Sequence, residues 1–398
     1  MVLSCRLLCM AVIVTITAPG CNKTSRVPEP GIAENRSGNR ILYIGTYTEK
    51  EAHVTGKATG IYIYEMNAES GQLSLVDSSP ATTNPSYLAV HSGKNLLYAV
   101  NETGSGSSNS SGNVSAFHIR DGGRKLELIN SVSSVGSYPC YISIDNTARY
   151  AMAANYGSGT VALFPINADG SLKEATSVDQ HTGRGQTGRQ ESAHAHMIIP
   201  SPDSIHVYAC DLGTDKVYCY SVDTLNSTLI SSGPAYKTIP GAGPRHLTFH
   251  PERNIAYIVN ELNGTIEAVK IDSLSGSMKR FQVISTKPLT ESRDASCADI
   301  HITPSGKYLY ASNRGEINNI AMYSVNPETG ELDLTGHQQV KGITPRSFAI
   351  DPSGNFLLVA NQDSDNIITF RIDQDTGRLI DTGFEVIVPT PVCLKFLE

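Results

Sequence analysis

Seven times along the chain an apolar run closes at a nearly fixed interval: Tyr47 in YIGTY, Asn101 in LYAVNE, Asn155 in MAANY, Asp211 in VYACD, Asn260 in AYIVNE, Asn313 in LYASNR and Asn361 in LLVANQ. The separations are 54, 54, 56, 49, 53 and 48 residues. Between these marks the chain alternates or runs apolar in short stretches, divided by Pro- and Gly-containing turns such as HPERN, TPSGK and DPSGN. A period of roughly 50 residues with several short strands per unit and almost no helical pattern is the signature of a β-propeller. Seven units specify an all-β fold: a seven-bladed β-propeller with four-stranded antiparallel blades.

The fifth copy displays its four strands as RHLTFHP, AYIVNEL, TIEAVKID and MKRFQVIST. The first apolar segment, ILYIGTY, has no opening strand before it, and the last, PVCLKFL, has no partners after it. The two chain ends are therefore expected to share one blade, which closes the ring and removes two sheet edges. This assigns residues 41–398 to one propeller domain, although 398 residues with 40% hydrophobic content are enough for two domains.

Ahead of the repeat, residues 1–21 read as a signal peptide: Arg6, an apolar stretch from Leu7 to Ile16, then small residues. Ala18, Pro19, Gly20 and Cys21 resemble a bacterial lipobox, in which Cys21 is lipidated and becomes the new N-terminus. Residues 22–40 form a polar, flexible tether. The expectation is export to the periplasm or cell envelope, with the lipid on Cys21 as the only membrane attachment. The net charge of −7 and the absence of any Lys/Arg run exclude a nucleic-acid partner. Five of the eight cysteines lie outside the leader, and Cys210 and Cys219 flank a tight LGTDK turn as candidates for a disulfide.

Two consecutive antiparallel strands place the start of the first beside the end of the second. Arg245 and His246, opening one strand in GPRH, should therefore meet Glu261, closing the next in VNEL. With all blades pointing the same way, the equivalent positions ring one mouth of the central channel and bring in Glu102, His194, His196, Asp211, Arg314 and Arg346. The glycine-rich segment TGRGQTGRQES, with Arg184 and Arg189, reads as a rim loop able to fold over an anion, as GSGSSNSSG reads as a second rim loop. The recurring Asn residues are assigned to turn and sheet scaffolding.

Arg245, Arg314 and Arg346 around one channel suit an anionic substrate with bidentate oxygens. The competing reading is that they only salt-bridge Glu261, Glu102 or Asp211. His194 and His196, in HAH at a strand start, share a face, but no further His or carboxylate pair completes a zinc set, so neither metal nor cofactor is expected. Glu261 or His196 is the candidate general base for a water, with an arginine stabilising the oxyanion. His181, His206, His250 and His337 fall on loops or outer strands and are given no role.

In order, GTYT, NPSYLAV, LYAVNE, YPCYISID, ANYGSGTV, AHAH, VYACDLGTDKVYCY, GPRHLTFHP, YIVNEL, LYASNRG, TPRSFAIDPSGNFLLVANQ and PVCLKF resemble the bacterial lactonase family of seven-bladed propellers over residues 41 to 398. The resemblance implies hydrolysis of a small anionic lactone of the 6-phosphogluconolactone type. The same fold family contains the fungal carboxy-muconate lactonizing enzyme, whose metal-free site uses a histidine, two arginines and a glutamate. By motif those catalytic roles fall on His196, Arg245, Glu261 and Arg314. The channel-mouth and rim-loop positions His194, Arg189, Asp211, His246, Arg346 and Glu102 are the expected substrate contacts. A lactonizing cycloisomerase and a non-catalytic envelope-binding propeller are the alternatives. The oligomeric state is left open.

Overall fold

A computed structural model describes residues 38–104, 111–293 and 296–398. The leader, Cys21, nearly all of the tether and most of the GSGSSNSSG loop lie outside the described residues.

Seven four-stranded antiparallel sheets account for nearly all of the described chain, with two 3-10 turns, Ser92–Lys94 and Asp121–Gly123, as the only helical segments among the described residues. Blades 1 to 6 follow one another in sequence. Their innermost and second strands are Pro85–His91 and Leu96–Asn101, Pro139–Ile144 and Tyr150–Asn155, Ala195–Pro200 and Val207–Asp211, Pro244–Phe249 and Ile255–Asn260, Ser296–Ile302 and Tyr308–Arg314, and Pro345–Ile350 and Phe356–Asn361. Blade 7 takes its innermost strand, Pro391–Phe396, from the C-terminus, and its other three, Arg40–Thr46, Tyr62–Met66 and Leu73–Ser78, from the N-terminus. The pairing runs from Leu42 opposite Phe396 to Gly45 opposite Cys393, so the ring closes by a shared sheet.

Position within a blade explains the sequence pattern. Second strands such as IAYIVN are buried on both faces, because neighbouring blades cover each side, and so they read as unbroken apolar runs. The outermost strand of the same blade, Met278–Ser285, is buried only at Met278 and otherwise mixes exposed and half-buried residues, because its outer edge faces solvent.

A tyrosine latch joins successive blades. Three residues before the closing Asn, Asp or Thr, the second strand of five blades carries a fully buried tyrosine: Tyr43, Tyr98, Tyr208, Tyr257 and Tyr310. Their hydroxyls donate to the carbonyls of Gly123, Gly170, Gly276, Gly330 and Gly377 in the outer turn of the next blade, at 2.9, 2.9, 3.0, 2.7 and 2.8 Å. Gly330 needs its φ of +79°, and a Cβ there would stand 2.4 Å from Ile255 Cδ1.

The closing asparagines are structural. The side-chain amides of Asn101, Asn155, Asn313 and Asn361 donate to Thr83, Ser134, Thr286 and Val340 carbonyls at 2.7, 3.0, 2.8 and 3.2 Å, on the crossover arriving from the preceding blade. Asp211 occupies the same scaffold position in blade 3, and here the sequence-based expectation of a substrate contact is corrected. A carboxylate can only accept, so Oδ1 takes the amides of His194 and Thr214 at 3.0 and 2.9 Å while Oδ2 meets His181 Nδ1 at 2.7 Å. His181 is accordingly not incidental: its other nitrogen meets Tyr220 Oη at 2.7 Å, and the ring pins the start of the rim loop.

The cysteine pair is corrected as well. Cys219 lies opposite Tyr208 and Cys210 opposite Val217, which is a diagonal offset, and both are buried free thiols. Replacing the latch residue Tyr257 by Phe is expected to lower stability by about 1 kcal/mol, because it leaves the Gly330 carbonyl unpaired in a dry site. A denaturant-unfolding midpoint unchanged from wild type would contradict this role.

Candidate active site

Two side-chain rings around the axis build the site. The upper ring is the residue after each strand-closing position: Tyr47, whose strand ends at Thr46, one residue before the mark read from the sequence, then Glu102, Tyr156, Leu212, Glu261 and Gln362, with Arg314 as the last residue of its own strand. The lower ring comes from a β-bulge that sequence reasoning missed. In all seven blades the register slips just after the innermost strand begins, for instance between Pro244 and His246 or between Pro345 and Ser347, and the skipped residue turns inward. The bulged residues are Ser86, Cys140, His196, Arg245 and Arg346 in blades 1, 2, 3, 4 and 6. Blade 5 skips both Ala298 and Asp299, and blade 7 has Val392 at the corresponding slip.

Together the rings enclose a cavity of about 490 Å3, lined from all seven blades and the loops between them. From the lower ring Cys140, His196 and Arg346 line it, from the upper ring Glu102, Tyr156, Glu261, Arg314 and Gln362, and from the connecting segments Tyr138, Arg189 and Thr344. The short hairpin of Lys50–Glu51 and Val54–Thr55 in blade 7 carries Ala52 and His53 over one side. His53 had no sequence signal: its ring packs edge-on against Tyr47 and Tyr138, and its Nε2 lies 3.4 Å from Glu102 Oε1.

Glu261 is the electrostatic centre. Its Oε2 is 3.0 Å from both Arg245 Nε and Arg314 Nη2, and its Oε1 is 3.1 Å from Arg189 Nη2. Burial alone would raise its pKa, but the fields of Arg314, Arg245, Arg189 and Arg346 outweigh that and hold it at about 2. A carboxylate so stabilised as an anion is a poor proton acceptor, which argues against Glu261 as the general base. Arg314 is lowered to about 10 by burial in spite of Glu261 and stays protonated at neutral pH. It also donates to Ser296 Oγ at 3.2 Å and to the Cys297 carbonyl at 3.1 Å, while Arg245 donates to the Ala298 carbonyl.

Arg346 is less committed. It donates to Tyr47 Oη at 3.0 Å and stands 3.9 Å from Glu102, whose carboxylate takes the Tyr47 hydroxyl at 2.8 Å. His196 is buried beside it. Burial, then Arg245, His246 and Arg346, hold its pKa well below the ordinary imidazole range, so the ring is neutral. Its Nδ1 is 3.7 Å from Cys140 Sγ, which leaves Nε2 without a partner among the described residues.

Two expected substrate contacts lie elsewhere. His194 stacks on Tyr156 with 4.5 Å between ring centroids, its Nδ1 bonds the Tyr156 carbonyl at 3.0 Å, and its Nε2 is 3.3 Å from Glu191. Both nitrogens are thus engaged outside the cavity lining. His246 lies below the floor, 2.9 Å from Asp299 Oδ1. Arg184 is exposed and lines no part of the cavity, whereas Arg189 from the same loop reaches Tyr156 Oη at 3.1 Å as well as Glu261. Among the described residues, no three His, Cys, Asp or Glu side chains converge as a metal set.

Residues 41–396 match the family model described as lactonase, 7-bladed β-propeller. The chain belongs to this lactonase family. A 6-phosphogluconolactonase of Bacillus subtilis is 35% identical over 358 residues, covering 90% of this chain and 98% of its own. One from Formosa agariphila is 34% identical over 351 residues, covering 87% of this chain and 96% of its own. The solved structure of the Pseudomonas aeruginosa periplasmic gluconolactonase PpgL superposes with a TM-score of 0.82 at 30% identity, over 90% of this chain and 99% of that one. The propeller is thus a lactone hydrolase by family, and a purely non-catalytic platform is set aside.

Because Glu261 is held at about 2, below its ordinary 4.5, it stabilises the folded lactonase above pH 4.5, and that stability is lost as pH falls toward 2. The thermal midpoint is expected to fall across that window, and the fall to be shallower in Glu261→Gln. The substitution itself should cost about 3–5 kcal/mol, since it strands the buried guanidiniums of Arg245 and Arg314. Equal slopes in the two proteins would contradict the assignment.

Proposed function

We propose that this lactonase hydrolyses a sugar lactone bearing an anionic group, with 6-phosphogluconolactone as the substrate that fits best. The observation that carries the reading is an unbalanced charge. Four guanidiniums, of Arg189, Arg245, Arg314 and Arg346, stand at the cavity or just beneath it against two carboxylates, Glu102 and Glu261. With His196 neutral, the surplus is 4 − 2 = 2 positive charges. A volume of about 490 Å3 suits a hexose phosphate. The names of the Bacillus subtilis and Formosa agariphila relatives support the same substrate class.

In this reading Glu261 keeps three arginines at fixed positions without their repelling one another apart. Arg346 and Arg189, the two with donors left over, bind the anion and polarise the ring carbonyl, and His196 contacts the sugar from the wall. Water adds to the carbonyl carbon, the ring C–O bond breaks, and the hydroxy acid ionises.

Ring opening of 6-phosphogluconolactone is expected to appear as base uptake, with no turnover of a carboxy-muconate. The opposite pattern would replace hydrolysis by the cycloisomerase alternative. Arg346→Ala should raise KM for the phosphorylated lactone by roughly 10–100-fold, corresponding to about 1.5–3 kcal/mol for a lost charge-assisted hydrogen bond. KM for uncharged gluconolactone should change little, and an equal effect on both substrates would remove Arg346 as the anion anchor.

Export belongs to the same proposal, supported by the leader sequence and by the periplasmic description of PpgL. Fractionation of cells expressing the full chain should find it in the envelope, and Cys21→Ala should release it from the membrane fraction. A cytosolic wild-type protein would overturn this part.

A further inference from the structure

Beneath the cavity floor, bulge residues from five blades, Ser86, Cys140, Arg245, Arg346 and Val392, close around a chamber of about 10 Å3. That is close to the room one water needs. On its wall His246 Nε2 makes no hydrogen bond among the described residues, and the Ser86 hydroxyl, buried beside Glu102, helps to hold that carboxyl below its usual range.

His246 is only 4% exposed and cannot turn freely. Its Nδ1 is 2.9 Å from Asp299 Oδ1, and its ring packs edge-on against Tyr141 and His196 at 5.3 and 5.2 Å. Asp299 is itself fixed by the Ser347 hydroxyl at 3.0 Å and the Ile300 amide at 3.1 Å. A carboxylate only accepts hydrogen bonds, so the His246 proton sits on Nδ1 and Nε2 presents a lone pair to the chamber. The chamber shares Glu102, Cys140 and Arg346 with the substrate cavity. A water held there stands between His246 and whatever binds above.

We propose that the Asp299–His246 pair, acting through a water in this chamber, is the base that receives the proton of the hydrolytic water. The proposal rests on lactone hydrolysis as the reaction. As the hydrolytic oxygen bonds to the carbonyl carbon, its O–H breaks, the proton passes to the chamber water, and that water hands one of its own to Nε2. Collapse of the tetrahedral adduct breaks the ring C–O bond, and the leaving oxygen recovers the proton by the same path.

The other two candidates are worse placed. Glu261 is spoken for by three guanidiniums, and His196 faces Arg245, Arg346 and His246 with no carboxylate to balance a positive charge. Around His246 the charged and titratable groups are Arg245, Asp299, the rings of His196, Tyr87 and Tyr141 and, behind Asp299, His301 at 3.3 Å from its carboxylate, with Glu102 and Arg346 across the chamber. Burial and Arg245 lower His246 to about 4 against the pull of Asp299, so the lone pair is available at neutral pH.

A high-resolution crystal structure of the protein should show one ordered water within hydrogen-bond reach of both His246 Nε2 and Ser86 Oγ; a dry chamber overturns the proposal. In kinetics, folded His246→Gln should lose roughly 100- to 1,000-fold in kcat, the range general-base catalysis supplies, with KM held within about threefold. Asp299→Asn should lower kcat in the same sense, and added imidazole should restore part of the kcat of His246→Ala. Ser86→Ala, which leaves the ring packing intact, provides a milder variant and should lower kcat severalfold. Unchanged kcat in folded His246→Gln or Ser86→Ala overturns the relay and leaves lactone hydrolysis standing. A wild-type enzyme with no turnover of any lactone overturns both.

Discussion

The sheet shared by Arg40–Thr46 and Pro391–Phe396 is the constraint on which the other positions depend. A ring of wedge-shaped blades has no stable open form, because each blade covers its faces only with its neighbours and an unclosed ring exposes two sheet edges. Closure inserts blade 7 between blades 6 and 1. Tyr47, just past its second strand, then reaches Arg346 on one side and Glu102 on the other. The chain ends thus contribute to the site itself as well as to stability.

Around the axis the propeller concentrates charge where water is scarce, which is costly unless the charges are paired. Glu261 resolves this for Arg245, Arg314 and Arg189, and in doing so gives up any strength as a base. What remains unbalanced is positive and faces the cavity. Burial first, and then that field, keep the imidazoles of His196 and His246 uncharged, and of the two only His246 has a carboxylate, Asp299, beside it to balance a proton.

Much of the fold was legible in the sequence because a propeller is nearly one-dimensional. Each repeat is specified by local pattern, so blade number, strand assignment and terminal closure followed from spacing alone. The upper ring was legible for the same reason, since Glu102, Glu261, Arg314 and Gln362 stand beside a visible strand-closing mark. Asp211 misled because a carboxylate at a scaffold position looks like a reactive one until its oxygens are seen to hold the His194 and Thr214 amides. His53 and Asp299 carried no signal: one rides a hairpin inserted in blade 7, and the other becomes informative only beside His246.

The sequence by itself determined the seven-bladed ring, its closure and the cluster of Arg, His and Glu at one end, because periodic apolar strands with fixed turns admit few other packings. Only the tertiary structure decided which of those groups meet and in what charge state. The innermost-strand bulges turn Cys140, His196, Arg245 and Arg346 toward the axis, and a bulge is a choice between neighbouring registers that alternating residues do not encode. Whether a buried carboxylate is a base or an anchor then depends on how many guanidiniums lie within about 3 Å, a count set by distances across blades rather than along the chain.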